Sequence, residues 1–183
     1  MDMDSPPQED SQASQSSVMT VTQEKRHEVL YFAYGSNMST AQMRQRCPHS
    51  TPVGLGLLSG WAWIINERGY ANVVVEDRAE APGVYGLLYL LPPRDEERLD
   101  GYEGVPQAYE KVACEARRVR DGDLRAVDEP VTVLVYVDRQ RVAESVPRHE
   151  YVGRMERAIG DAVGNWGLDE GYANRVMRRF WAK

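Results

Sequence analysis

Apolar and polar positions change character near residue 28. Before it, residues 1–27 are rich in Ser, Gln, Asp and Pro, with Ser5-Pro6-Pro7 followed by Ser11, Ser14, Ser16 and Ser17, and show no apolar periodicity, so a disordered N-terminal tail is expected there. Residues 28–183 carry the pattern of one folded domain. Val29-Leu30-Tyr31-Phe32-Ala33-Tyr34 is a continuous apolar and aromatic run closed by Gly35-Ser36-Asn37, which predicts a buried strand ending in a turn. Ser39 followed by Gln42 has capping-box spacing, in which the hydroxyl and the amide satisfy each other's backbone donors. A short helix over residues 40–46, stopped by Pro48, is therefore expected.

Further strands are expected over residues 53–58, 61–66, 72–76 and 83–91, the last with Gly86 inside it. Pro92 and Pro93 open a charged helix over residues 94–100, and residues 109–120 and 131–137 complete the strands. The period then switches: Val152, Met155, Ile159, Ala162 and Trp166 recur at helical steps, as do Tyr172, Val176 and Phe180, which predicts two amphipathic helices hinged near Gly167. Strands first and helices last, joined by short connections, favour an α+β fold with a small mixed or largely antiparallel β-barrel-like sheet and flanking helices.

Composition narrows the class. With 183 residues, 42% of them apolar, the chain can bury a core without disulfide or metal staples. The longest strongly apolar run, residues 84–91, is far short of the ~20 residues that cross a bilayer. Polar Asp2, Asp4 and Glu9 stand where a secretory leader would be apolar, so a cytoplasmic protein with no membrane partner is expected. A net charge of −6 repels polyanions, so no nucleic-acid partner is expected. Of 22 basic residues only Lys25, Lys111 and Lys183 are lysines, an arginine bias that sequence alone ties to no function. Cys47 and Cys114 read as free thiols. They do not combine with His27, His49 and His149 into a spaced metal set, so no metal and no cofactor is expected.

Two segments could carry chemistry. The Gly35-Ser36-Asn37 turn can present consecutive N–H groups, the Ser hydroxyl and the Asn amide at the positive end of the following helix, a cradle for a carboxylate or phosphate; a plain strand-to-helix turn is the equal alternative. Glu103 lies between Gly101 and Gly104, beside Tyr102 and Val105, where desolvation can raise a carboxyl pKa and suit it to proton transfer; a helix-terminal surface glutamate is the plainer alternative. Asp95, Glu96, Glu97 and Asp100 read as solvated acids of the same helix. Ser36 is not in a nucleophile elbow, and Cys47 sits at a helix end, where the dipole raises a thiol pKa. The basic C-terminal residues Arg175, Arg178, Arg179 and Lys183 are diluted by Asp161, Asp169 and Glu170 and read as a solvated helix face.

Tyr31 to Met38, Gly69-Tyr70-Ala71-Asn72-Val73 and Leu99-Asp100-Gly101-Tyr102-Glu103-Gly104-Val105, in that order and followed by Tyr109, resemble the γ-glutamylcyclotransferases. The similarity runs over residues 29–180, with the Tyr-Gly-Ser-Asn turn its most specific mark. The resemblance implies a small mixed barrel with flanking helices and a catalytic domain over residues 28–183. It also implies a lyase-type reaction of glutathione metabolism, in which a γ-glutamyl amino acid or related γ-glutamyl amide cyclises to 5-oxoproline and releases its amine. The substrate's own α-amine is the nucleophile, so the protein supplies a ring-closing pose and proton traffic.

On this resemblance Glu103 matches the catalytic general acid/base, and Gly35, Ser36 and Asn37 match the anchor for the glutamyl carboxylate or the oxyanion. Tyr31, Ala33 and Tyr34 would line the pocket, and Tyr151 matches a pocket tyrosine; Tyr109 and Tyr136 are either neighbours of that pocket or core aromatics. The stretch between Asn66 and Tyr70 is shorter than in the animal members, and Pro106-Gln107-Ala108 stands in place of a Gly-containing segment, so the leaving amine is unidentified. The expected partner is a small γ-glutamyl molecule, with a homodimer left open. Two alternatives are a non-catalytic γ-glutamyl- or carboxylate-binding module and a specialised γ-glutamyl-removing enzyme of natural-product biosynthesis.

Overall fold

The computed structural model describes residues 28–182, so the expected tail and Lys183 lie outside the described residues. Val29–Ala33 forms β1 and, after a 3-10 turn at Ser36–Met38, Thr40–Arg46 forms α1, the bounds the sequence predicts. Then come β2 (Thr51–Leu58), β3 (Trp61–Ile65), β4 (Ala71–Val75), β5 (Val84–Leu91), α2 (Pro93–Glu103), β6 (Glu110–Arg120), β7 (Ala126–Val137) and α3 (His149–Trp166).

Five strands close into a barrel in the order β1-β5-β2-β6-β7, while β3 and β4 form a separate hairpin. The seam between β7 and β1 is parallel, Tyr31 pairing with Leu134, and the other barrel pairings are antiparallel. The fold is thus the mixed-barrel α+β class read from the sequence. On one face of β1, Phe32 lies across Gly56 and Gly86, which face each other in register; a Cβ on Gly86 would sit 2.8 Å from the Phe32 ring and 2.6 Å from the Ala33 carbonyl oxygen. On the other face Tyr31 pairs with Tyr89. That alternation turns the Tyr31 phenol away from the Phe32 packing.

Strand β7 begins five residues earlier than the apolar pattern indicates, since Val131 opens its apolar half but Ala126 begins it. Its polar half pairs with the arginine-rich end of β6, Arg117 bonding Asp128 and Arg118 bonding Glu129, so cross-strand charge replaces hydrophobicity. The second C-terminal helix runs unbroken from Glu170 to Phe180 but is not uniformly α, passing from an α turn at Glu170–Tyr172 to a π turn at Ala173–Met177 and a 3-10 turn at Arg178–Phe180. Phe180 and Trp181 meet the Trp63 ring edge-on at 5.6 and 6.4 Å and so clamp the β3–β4 hairpin. The arginines there are not a free basic face, since Arg178 is held by Glu156 and Arg179 by Glu144. Among the described residues no helix is long and apolar enough to cross a membrane.

Helix α2 runs three residues past its expected end and so contains Glu103. Gly104 ends it in the left-handed region, φ 64°, with its N–H returning to Asp100 and Gly101 carbonyls and Val105 N–H bonding Asp100 O at 3.1 Å. Asp95 is not a solvated acid: it is fully buried and accepts from His49 N–H at 2.7 Å. Its place in the first turn of α2 faces the α1–β2 connection. Asp100 is likewise engaged, accepting from the Tyr136 hydroxyl at 2.7 Å.

A methyl at Gly104 would hold an L-residue in the left-handed region and approach the Ala108 methyl at 3.1 Å. Gly104→Ala is therefore expected to destabilise the protein by about 1–2 kcal/mol, read from the urea midpoint.

Candidate active site

The C-terminal end of β1, the Gly35–Asn37 turn, the end of α2, the start of α3 and the tip of the β3–β4 hairpin enclose one cavity of about 240 Å³. Of the residues expected there, Tyr31, Tyr34, Gly35, Ser36, Asn37, Glu103 and Tyr151 border it. Ala33 does not. Its methyl is fully buried beside Leu87 in the barrel wall, too short to extend to the cavity that Tyr31 and Tyr34 line on either side of it in sequence. Tyr109 and Tyr136, left open by the sequence, both line the cavity and are also buried in the core.

Asn37 organises the turn. Its Nδ2 donates to Glu103 Oε1 and to Tyr31 Oη, both at 3.1 Å, and its Oδ1 accepts from Gln42 Nε2 at 2.8 Å and Arg46 Nη1 at 3.2 Å. Because a guanidinium can only donate, the atom facing Arg46 must be the oxygen, which fixes the amide as a donor to Glu103. The Asn37 carbonyl oxygen accepts from Tyr89 Oη at 2.9 Å. Every polar atom of the side chain is thereby held.

Ser36 Oγ accepts from Gln42 Nε2 at 2.9 Å and Arg154 Nη2 at 3.0 Å. Both acceptor positions are filled, so the hydroxyl can only donate onward, and it has no base to activate it as a nucleophile. The capping box is thus half realised. Ser39 Oγ accepts from Gln42 N–H at 3.3 Å, but the Gln42 amide turns to Ser36 and Asn37 instead of back to Ser39.

The expected anion cradle also differs. Met38 and Ser39 N–H groups are consumed within the turn by Gly35 and Ser36 carbonyls. The first N–H of α1, on Thr40, donates to Asp161 Oδ2 at 2.8 Å. What faces the cavity is the Ser36 N–H, in a long 3.4 Å contact with Tyr151 Oη. Gly35 is required by that approach, since a Cβ there would lie 2.9 Å from the same phenol oxygen.

Glu103 is partly buried, with its carboxyl turned to the cavity. Desolvation pushes it up to about 7, against the pull of Arg46, then Arg154, the Asn37 hydrogen bond and Arg68. Among the described residues it is the only acid bordering the cavity, against three arginines, Arg46, Arg68 and Arg154. Burial pushes Tyr31, Tyr34 and Tyr109 well up and Tyr151 up to about 12, so these phenols are neutral donors near pH 7. Several are structural pins: Tyr34 Oη donates to the Tyr136 carbonyl at 2.6 Å and Tyr109 Oη to the Ala71 carbonyl at 2.8 Å. Cys47 is buried away from the cavity and pushed up to about 12, chiefly by that burial. Among the described residues no three His, Cys, Asp or Glu side chains gather where they could hold a metal ion.

Sequence reasoning missed the arginines, with Tyr70, Tyr102 and Gln42. Tyr70 and Tyr102 stand inside the motifs that carry the resemblance, Gln42 has capping-box spacing, and Arg154 lies three residues after Tyr151 and so on the same helix face; Arg46 and Arg68 left no signal.

The arrangement can exchange a proton at one carboxyl near neutral pH, beside donors that fix a carboxylate, in a cavity of a small substrate's size. Comparison with known proteins bears on which substrate. The family described as "Gamma-glutamyl cyclotransferase, AIG2-like" matches residues 31–153. No curated protein sequence matches the chain.

Among solved structures, one described as "Gamma-glutamyl cyclotransferase" is 19% identical with a TM-score of 0.65 and covers 81% of this chain and 86% of its own. A human protein described as uncharacterized is 19% identical, TM-score 0.64, covering 81% and 85%. YkqA from Bacillus subtilis is 21% identical, TM-score 0.64, with 90% of this chain aligned to 58% of that longer one. At these identities the likeness is one of fold.

Proposed function

The chain belongs to the Gamma-glutamyl cyclotransferase, AIG2-like family, and from that premise we propose that it converts a γ-glutamyl amino acid or related γ-glutamyl amide to 5-oxoproline and a free amine. The observation that carries this reading is the 3.1 Å bond from Asn37 Nδ2 to Glu103 Oε1, because it holds a carboxyl with a pKa near 7 at the turn that would bind the glutamyl group.

In this reading the glutamyl α-carboxylate accepts from the Ser36 N–H and hydroxyl and lies in the field of Arg154. Glu103, ionised, takes a proton from the α-ammonium. The freed amine attacks the γ-carbonyl carbon, the carbonyl oxygen takes up the charge, and the C–N bond to the departing amine breaks as that nitrogen is protonated. In all, two protons leave the α-nitrogen and two reach the departing nitrogen. One carboxyl that returns to its starting state after each transfer is therefore sufficient. The neutral phenols of Tyr31 and Tyr151 supply donors for the developing oxyanion. Nucleophile and electrophile belong to one substrate, so the cavity's contribution to their approach is to hold the glutamyl chain in a ring-closing pose.

Purified protein given γ-glutamyl-alanine is expected to release 5-oxoproline and alanine in equal amounts, measured by chromatography. Calorimetric binding without 5-oxoproline would instead favour a γ-glutamyl-binding module.

A further inference from the structure

Three arginines border the cavity, and two are already engaged. Arg46 Nη1 donates to Asn37 Oδ1 and its guanidinium lies 4.8 Å over the Tyr102 ring. Arg154 donates to Ser36 and Gln42 and lies 3.5 Å from Glu150. Arg68 differs: among the described residues no carboxylate pairs with its guanidinium, and its Nη1 is buried without any hydrogen-bond partner. A buried, charged donor without an acceptor is unfavourable by more than a neutral one, and a carboxylate brought to this guanidinium from the cavity would offset that cost.

The position is also built. Arg68 sits in the β3–β4 turn, its N–H donating to Asn66 Oδ1 at 3.1 Å and its carbonyl accepting from Arg148 Nε at 2.9 Å. Its guanidinium lies 5.5 Å from the Tyr70 ring and 5.7 Å from the Tyr109 ring, so two aromatic walls limit where it can go. From the Ser36 turn the contacts run to Tyr151, then edge-on to Tyr70 at 5.1 Å, then to Arg68, which puts two aromatic rings between the Ser36 turn and this cation. A γ-glutamyl dipeptide carries its two carboxylates at opposite ends, one on the glutamyl α-carbon and one on the leaving amino acid. The cavity, with a single acid, has cations for both.

We infer that Arg68 determines substrate specificity by binding a carboxylate on the leaving amine, so that the preferred substrate is a γ-glutamyl amino acid and not a γ-glutamyl amine lacking that group. This rests on the cyclotransferase reading and goes beyond it by naming the leaving half. A guanidinium suits the task because it meets a carboxylate with two parallel N–H donors.

The test compares γ-glutamyl-alanine with γ-glutamyl ethylamide, which differs only in lacking that carboxylate, on wild type, Arg68→Gln and Arg68→Lys. Wild type is expected to prefer γ-glutamyl-alanine by about 10- to 100-fold in kcat/KM, the range of a charge-assisted hydrogen-bonded pair. Arg68→Gln is expected to erase that preference, mostly through the KM of γ-glutamyl-alanine; any change in Glu103 proton affinity on losing this nearby cation acts on both substrates alike and cancels in their ratio. Arg68→Lys should restore part of it. The ethylamide serves as the control for folding, since a merely structural role would depress both substrates together. Equal losses on both substrates, or a wild type with no preference, overturn the inference alone; failure of wild type to turn over either substrate overturns the cyclotransferase reading with it.

Discussion

Glu103→Gln is expected to lower kcat by about 10³-fold or more on any substrate the protein cyclises, since both proton transfers in the proposed reaction pass through this carboxyl and each such role contributes about 10²- to 10⁴-fold. The amide keeps the shape of the side chain and an oxygen to accept the Asn37 bond, so the fold is expected to persist. Residual kcat within tenfold of wild type would remove Glu103 from the chemistry. For wild type, a base that must begin ionised gives kcat/KM an acid limb centred near pH 7, because desolvation holds the carboxyl up to about that value.

The same variant carries a stability signature of opposite sign. With its folded pKa raised from 4.5 to about 7, Glu103 is protonated in both states below about pH 4.5 and imposes no penalty there. As pH rises from 4.5 towards 7 the unfolded chain ionises first, so the stability this group contributes is lost through that window and stays lost above it. At 1.36 kcal/mol per pH unit the penalty reaches at most about 3 kcal/mol, and less in practice because the carboxyl faces a cavity open to water. Glu103→Gln, which cannot ionise, is expected to match wild type in urea midpoint at pH 4.5 and exceed it at pH 8. A variant less active and more stable at alkaline pH is the mark of a carboxyl kept for function at a thermodynamic penalty.

Local patterning carried the first half of the site. The strand, turn and helix over residues 29–46 read correctly from sequence because an apolar run, a Gly-Ser-Asn turn and a serine N-cap each act within a few residues, although Ala33 and the details of the cradle did not. The rest depends on who meets whom. Gln42 has the spacing of a capping partner, but Ser36 Oγ and Asn37 Oδ1 sit closer to hand as acceptors, and nothing in the local pattern states that. Asp95 reads as a first-turn acid because burial against the segment after α1 is a tertiary fact. The arginines are the clearest case. In so arginine-rich a chain, Arg46, Arg68 and Arg154 differ from Arg117 or Arg178 only in what faces them. The early start of β7 was missed for the same reason, since its polar half is held by charges on another strand.

Asn37→Asp separates a positioning role from a purely structural one. The change leaves an oxygen where Oδ1 accepts from Gln42 and Arg46, and it puts a second oxygen where Nδ2 now donates to Glu103 at 3.1 Å. Two carboxyls this close titrate as a pair. The introduced carboxyl, with Arg46 and Gln42 donating to it, ionises first, and its charge pushes Glu103 further up. The acid limb of kcat/KM is therefore expected to move to higher pH by about one unit, with kcat/KM at pH 7 reduced about fivefold by that displacement and most of it recovered by pH 8.5. Asn37→Ala, which abolishes the donor without adding charge, should also move the limb upward, but by less than Asn37→Asp, since losing a hydrogen bond to the ionised carboxyl raises its pKa without adding a repelling charge. If Asn37 served only to pack the turn, Asn37→Asp would depress the rate by one factor at every pH. A limb displaced upward in both variants, and further in Asn37→Asp than in Asn37→Ala, would tie the proton affinity of Glu103 to the amide beside it.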